Sequence, residues 1–202
     1  MSPARAAQTK KVPGRSGLLL SAIECFSRFG YAGTSIDRIA REAGVTKGAL
    51  YYHFRDKELL LFEAVADRIK AFEEAVGMAL ARIEDPEESM IAIANTSVQS
   101  ARSDNHRRFI LTLMVEAMDT NEQLAEQFRA MMRRFRNLPR RLIQRGQEAG
   151  RFDRQHDATL AAEAFVAGQL GAELQYYQDP EGTDLRRTSD LQTKQFLAWL
   201  RA

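Results

Sequence analysis

Apolar residues recur along this chain at the spacing of an α-helix, and no segment alternates apolar and polar residues as a half-buried strand does. The clearest stripe follows Asp56, where apolar residues return every three or four positions. Its members are Phe62, Val65, Ile69, Phe72, Val76, Leu80 and Ile83. Similar stripes elsewhere predict an all-α fold of about nine helices.

Residues that commonly begin or end helices separate these stripes. The first helix is expected from Arg15 to Phe29, with Gly30 as its stop. Pro139 lies inside the predicted seventh helix, which it should bend. Further helix starts are expected at Thr34 with Asp37, Thr46, Asp56, Asp85 with Pro86, Ser103 or Asp104, Thr120 with Gln123, Asp157, and after the loop Asp179 to Asp184.

Composition narrows the class of protein. The chain has 202 residues, of which 45% are hydrophobic and 28% charged, enough to bury a core. Cys25 is the single cysteine, which excludes an internal disulfide and a multi-cysteine zinc site and leaves it most simply as a core residue. The polar, basic stretch 1–17 does not resemble a signal peptide, so we expect a soluble, cytoplasmic chain.

Charge is unevenly distributed. Residues 1–57 carry ten Lys and Arg against four acids, a net charge of +6, whereas residues 58–202 carry 19 against 23, a net charge of −4. A basic first quarter on an acidic remainder is typical of a domain that binds a polyanion. A basic tail without a partner remains the alternative. We expect the domain boundary between residues 57 and 58.

Residues 34–54 carry the most specific pattern. Gly44 can adopt the positive φ that a tight turn between two short helices needs, and Ala40 is small where those helices cross. Val45 and Leu50 would fill the angle between them. This arrangement predicts a helix-turn-helix, whose second helix enters the major groove of DNA. An ordinary helical corner is the alternative.

The chain resembles the TetR family of bacterial transcriptional regulators over about residues 16–62. The residues that carry the resemblance are Thr34, Ile39-Ala40, Ala43-Gly44-Val45, Lys47-Gly48, Leu50-Tyr51-Tyr52-His53-Phe54 and Asp56-Lys57-Glu58-Leu59-Leu60. The resemblance implies an N-terminal three-helix DNA-binding domain, 1–57, and a C-terminal helical ligand-binding and dimerisation domain, 58–202.

The candidate DNA contacts lie in and around the helix-turn-helix. Lys47 can donate to a guanine edge, the two tyrosine hydroxyls to phosphates, and Gly48 lets the backbone approach the groove. A core role is the alternative for the glycine and the tyrosines. The full candidate set is Thr34, Thr46, Lys47, Gly48, Tyr51, Tyr52, His53 and Lys57. Arg5, Lys10, Lys11 and Arg15 form a basic arm that either reaches the minor groove or contributes little.

Small residues in the eighth helix and aromatic residues in the ninth suggest a dimer interface, because small side chains let helices approach closely. The candidates are Ala161, Ala164, Gly168, Gly171, Ala172, Phe196 and Trp199. Packing within one subunit is the alternative. The resemblance implies that these two helices pair with their mates in a four-helix bundle.

The middle helices are expected to enclose an effector pocket, since Met and Phe adapt well to apolar ligands. The candidate lining residues are Phe109, Leu113, Met114, Met118, Phe128, Phe165 and Gln169. Ordinary core packing is the alternative for each of them, because Met and Phe stripes at helical spacing belong to a core more often than to a pocket.

The sequence therefore predicts a homodimeric, nucleoid-associated repressor that binds a palindromic operator in double-stranded DNA and is released by a small molecule. A DNA-binding regulator or architectural protein whose helical body answers to a protein partner is the alternative. No catalytic constellation is apparent, so an enzyme is not expected, and neither is a cofactor, a metal or a membrane partner.

Overall fold

The computed structural model describes residues 14–103 and 105–201, and within them it contains nine α-helices and no strand. The helices are α1 (Arg15–Phe29), α2 (Ile36–Ala43), α3 (Lys47–His53), α4 (Lys57–Leu80), α5 (Pro86–Ser103), α6 (Asn105–Thr120), α7 (Glu122–Glu148), α8 (Ala158–Gln178) and α9 (Leu185–Arg201). The predicted all-α class is confirmed. Arg5, Lys10, Lys11 and Asp104 lie outside the described residues.

Side-chain caps explain most helix starts. Asp56 accepts a hydrogen bond from the Leu59 amide at 2.7 Å, and Asp157 caps α8 in the same way, as the sequence predicts. Two other predicted caps are wrong. Ser35, not Thr34, accepts the Arg38 amide at the start of α2, and Asn121, not Thr120, accepts the Leu124 amide at the start of α7.

The structure divides into two compact units, the first ending at Val65 and the second beginning at Ala66. We call their described residues the head and the body. This division lies eight residues after the predicted boundary, because the first turns of α4 belong to the head. Lys57 there binds carbonyls of the loop between α1 and α2, and Glu63 pairs with Arg15.

The head has a continuous apolar core. Ile23 and Phe26 of α1, Ile39 of α2 and Leu50 of α3 are almost completely buried, as is Phe54 after α3. Cys25 is also buried, as expected of a core residue, and desolvation raises the pKa of its thiol. Burial of these apolar side chains provides the main stabilisation of this small unit.

The body core is formed chiefly by α5, α7, α8 and α9, with α5 and α8 both packed on α7 and α9. Helix α7 continues through Pro139 as one element. Near its end, Gly146 is buried under the ring of Phe152, and a Cβ atom at position 146 would lie 2.1 Å from the ring's Cδ2 atom. None of the described helices is long and apolar enough to cross a membrane.

Candidate functional site

The turn between α2 and α3 has the geometry of a helix-turn-helix. Gly44 ends α2 in the left-handed region, with φ 69° and ψ 32°, and its amide and that of Val45 bond back to the last turn of α2. Thr46 then caps α3 by accepting the Ala49 amide at 3.2 Å. Leu50 points into the angle between the helices and is completely buried.

The opposite side of α3 faces solvent. Tyr52 is 86% exposed and Tyr51 is 45% exposed, which is unusual for large aromatic side chains without a partner. Lys47 and Gly48 lie exposed on the first turn, and His53 is half-buried with its ring edge-on to Tyr52 at 5.1 Å. The predicted outward set on α3 therefore forms one accessible surface.

Lys47 does not stand alone on this surface. Its ammonium donates to Oδ2 of Asp37 on α2 at 3.0 Å, and this hydrogen bond is the main cause that raises the pKa of Lys47. Both side chains are more than half exposed, so the pair is a weak one in water. Asp37 thus holds the lysine near the start of α3 without sequestering it.

Within the part of the chain that the structure describes, no contact requires glycine at position 48. A Cβ atom there would have only the Thr46 hydroxyl within 4 Å, at 3.9 Å, and φ is not positive. Glycine lowers helix stability by about 1 kcal/mol relative to alanine. No contact among the described residues explains why α3 carries this cost. Without a side chain at position 48, another molecule can approach the backbone of α3 closely.

Two predicted contacts have internal roles instead. Thr34 is 1% exposed, and its hydroxyl lies 2.7 Å from the Gly30 carbonyl and 3.1 Å from the Cys25 carbonyl, so its side chain is not available to DNA. The Lys57 ammonium donates to the carbonyls of Tyr31 and Thr34, each at 3.0 Å, and lies over the Tyr31 ring. It braces the loop before α2, with two of its three protons used.

The body encloses a cavity of about 430 Å³, within the range of small-molecule sites. Its walls are mostly aliphatic and aromatic and come from helices α4 to α8. They are formed by Phe72, Glu73, Val76, Gly77, Leu80, Ile93, Ser97, Arg107, Arg134, Phe135, Asn137, Leu138, Pro139, Arg141, Phe165, Val166, Gln169 and Leu170.

Only Phe165 and Gln169 of the predicted pocket residues line this cavity. The prediction does not hold for the other five, because four of them pack elsewhere in the body and Met118 is 61% exposed on the surface of α6. The four packed residues are Phe109, Leu113, Met114 and Phe128. Sequence reasoning missed the cavity-lining Arg107, whose charge on a largely apolar helix was an available signal.

Polar groups on the cavity wall are tied to neighbouring helices. The Arg107 guanidinium donates to the Glu173 carboxylate from Nε at 2.9 Å and from Nη2 at 3.0 Å. The Gln169 amide oxygen accepts from Ser189 at 3.0 Å, and its nitrogen donates to Thr193 at 3.4 Å. Gln169 therefore connects the cavity to α9.

The small residues of α8 fall on two faces. Ala161 and Ala172 are buried in the body, and Gly168 lies against Gln192 of α9. These three residues therefore pack within the chain and do not form the predicted dimer interface. The other face is apolar and exposed or half-exposed, and consists of Leu160, Ala164, Ala167, Gly171 and Leu174.

Helix α9 adds exposed apolar side chains. Leu191 is 58% and Trp199 is 44% exposed. Phe196 is half-buried, with its ring 5.4 Å from that of Phe165 and 5.7 Å from that of Trp199. Exposed apolar surface commonly marks an interface where it is contiguous.

The fold and these sites define a helix-turn-helix transcriptional regulator with an all-helical body. A family model described as bacterial regulatory proteins, tetR family, matches residues 18–64, and one described as tetracyclin repressor-like, C-terminal domain, matches residues 92–189. The chain belongs to the TetR family.

Similar proteins are transcriptional regulators and not enzymes, as the sequence predicts. The repressor BepR of Brucella suis biovar 1 is 29% identical over 50% of this chain, but the match spans only 48% of BepR. A TetR regulator from Chloroflexus aurantiacus is 27% identical, with a TM-score of 0.85 over 93% of this chain and 96% of that one.

A third similar protein has been solved with a ligand. SmeT, the repressor of the Stenotrophomonas maltophilia multidrug efflux pump SmeDEF, is 26% identical in its triclosan complex, with a TM-score of 0.75 over 91% of this chain and 90% of SmeT. Among the described residues of the present chain, no group of three or more His, Cys, Asp or Glu side chains could hold a metal ion.

Proposed function

We propose that this protein is a transcriptional repressor that binds a palindromic operator as a homodimer and is released when a small molecule enters the body. The single observation that carries the DNA-binding step is the outer surface of α3. It combines an exposed lysine, two exposed tyrosines and a glycine with no internal reason to be glycine. Lys47 would read a base edge, and Tyr51 and Tyr52 would bind phosphates.

The dimer is supported by the apolar faces of α8 and α9. A single α3 reads only a few base pairs, so two copies on a two-fold axis would supply the specificity and the palindrome. Ala164 and Gly171 would let the partner's helices approach closely. Leu160, Leu174 and Leu191 would supply the apolar area that the interface buries.

The cavity supports a small-molecule effector rather than a protein partner, because its volume and mostly apolar walls suit a compact ligand. The triclosan complex of SmeT is an example of such a ligand in a similar fold. Helix α4 carries Phe72, Val76 and Leu80 on the cavity wall and Lys57 in its first turn. A ligand that moves this helix would change the spacing of the two recognition helices.

In vitro selection of random duplex DNA at about 150 mM salt, in the range where unspecific binding is weakened, tests the proposal. A two-fold symmetric sequence is expected to be enriched. Lys47→Ala and Tyr51→Ala should abolish binding to that sequence while the dimer stays folded. Lys70→Ala, which removes an exposed lysine from the body, should leave binding intact. Specific binding by both α3 variants would disprove the proposed interface.

A further inference from the structure

Four charged side chains lie on the cavity wall, and Arg107 is the least exposed of them, whereas Arg141 is exposed to solvent. Arg134 and Glu73 pair at 2.6 Å, but their side chains are 52% and 37% exposed. The Arg107 side chain is only 11% exposed. A ligand inside the cavity would therefore meet Arg107 out of water, where a hydrogen bond contributes most to binding.

Arg107 is held firmly and still has donors to offer. Its Nε and Nη2 atoms bond to Glu173, and its Cζ atom lies 4.5 Å from the centre of the Phe72 ring, which also lines the cavity. A guanidinium has five N–H donors, and Nη1 has no acceptor among residues 14–103 and 106–201. The side-chain amide of Gln169, which is also buried on the wall, already forms hydrogen bonds with Ser189 and Thr193.

The charge of Arg107 is already neutralised. The Glu173 side chain is 2% exposed and accepts two hydrogen bonds from this one cation. A carboxylate hydrogen-bonded to Arg107 would share this one cation with Glu173 and lose its own hydration, since the other two arginines of the cavity wall, Arg134 and Arg141, are exposed to solvent. A neutral carbonyl oxygen would accept from the remaining donors without that cost.

We infer that the cavity takes an apolar molecule with a neutral carbonyl acceptor, such as a ketone, ester or amide, and discriminates against a carboxylate of similar size, with Arg107 as the polar anchor. This inference rests on the proposed function, because it specifies the chemistry of the effector that the same cavity would bind.

The test uses the neutral fluorescent probe N-phenyl-1-naphthylamine and three competitors of similar size: butyrophenone, pentylbenzene and 4-phenylbutanoate. Butyrophenone should displace the probe about tenfold more tightly than pentylbenzene, as expected for a hydrogen bond to a charged donor. It should exceed 4-phenylbutanoate by at least as much. Equal displacement by butyrophenone and pentylbenzene, or tighter binding of 4-phenylbutanoate, would overturn the inference and leave the proposed function standing.

Two variants locate the effect. The double variant Arg107→Met with Glu173→Leu should lose the preference for butyrophenone and keep its affinity for pentylbenzene. If this variant does not fold, the ranking in the unmodified protein decides alone. Gly77→Trp, at a lining position whose Cβ meets no atom within 4 Å, should block probe binding. No probe binding in the unmodified protein, or binding unaffected by Gly77→Trp, would overturn both the inference and the proposed effector site.

Discussion

The Lys47 ammonium on α3 is 3.0 Å from a carboxylate oxygen of Asp37 on α2, so the proposed base-reading cation is paired before DNA arrives. DNA must replace this carboxylate as the partner of the lysine. Because both side chains are exposed, the exchange occurs in water and costs little. Asp37 also places a negative charge beside the surface that would meet phosphates.

Asp37→Asn should therefore strengthen binding to unrelated DNA severalfold, because it frees Lys47 and removes a repulsive charge. The ratio of specific to unspecific affinity should fall. Fluorescence anisotropy with a random-sequence duplex between about 50 and 200 mM salt measures both quantities. Glu74→Gln, which frees Lys70 in the body in the same way, is the matched control. Unchanged affinity for unrelated DNA would show that Asp37 does not face the duplex.

Gly48→Ala should separate stability from DNA binding. The methyl group has room within the chain, so alanine should raise the stability of the head by up to about 1 kcal/mol. Operator binding should nevertheless weaken at least tenfold, since the methyl group would occupy space that the DNA needs. Lys70→Ala, at an exposed position of α4 outside the cavity, should leave operator binding intact. Thermal unfolding measures the stability of both variants, and titration with operator DNA measures their affinity.

Ala164→Glu should break the proposed dimer, because it places a charge in the middle of the exposed face of α8. We expect a folded monomer by sedimentation velocity at micromolar concentration, together with weaker operator binding. Met78→Glu, at a side chain that is 75% exposed on α4, should remain dimeric. A dimeric Ala164→Glu protein would mean that another surface makes the interface.

Arg107→Met should destabilise the body strongly, by about 3 kcal/mol or more, because it leaves the Glu173 carboxylate buried without its partner. Replacing both residues by apolar side chains should restore much of this loss. Urea unfolding of the two single variants and the double variant gives the coupling energy. Additive losses would show that the two residues do not act as a pair.

The cap of α5 predicts that the free energy of unfolding depends on pH. Asp85 accepts the amides of Glu88 and Glu87 and pairs with Arg151, and the Glu88 hydrogen bond is the main cause that lowers its pKa. A carboxyl group whose pKa is lower in the folded state stabilises the fold at pH values above its unfolded pKa of about 3.9. This stabilisation is lost as the pH falls through the folded pKa. The stability advantage of the unmodified protein over Asp85→Asn should thus be constant near neutral pH and vanish in acid. Denaturation from pH 7 to about 2.5 tests this, and a gap that persists in acid would contradict it.

The helical period of the sequence is sufficient to predict which side of α3 faces solvent. With Leu50 and Phe54 buried, the intervening Tyr51 and Tyr52 must face outward, and they do. The period could not place Thr34, because its burial depends on how the loop after α1 folds back onto the Gly30 and Cys25 carbonyls. That arrangement involves tertiary contacts rather than spacing along one helix.

The body shows the same limit. Phe72 and Val76 are neighbours on one predicted stripe and both border the cavity, but Val76 is buried in the core whereas Phe72 is only partly buried against it. Whether a stripe residue fills a gap or borders one depends on the distance between helices. On α8, Ala161 and Ala164 are equally small, yet one is buried and one is exposed, and composition alone does not distinguish the two faces.

The packing of Phe152 on Gly146 has a consequence for how these positions evolve. A side chain at position 146 would overlap a ring that is itself almost completely buried, so neither residue can enlarge or shift alone. The two positions should therefore be inherited together. Relatives with alanine or a larger residue at the first position should carry a smaller side chain at the second.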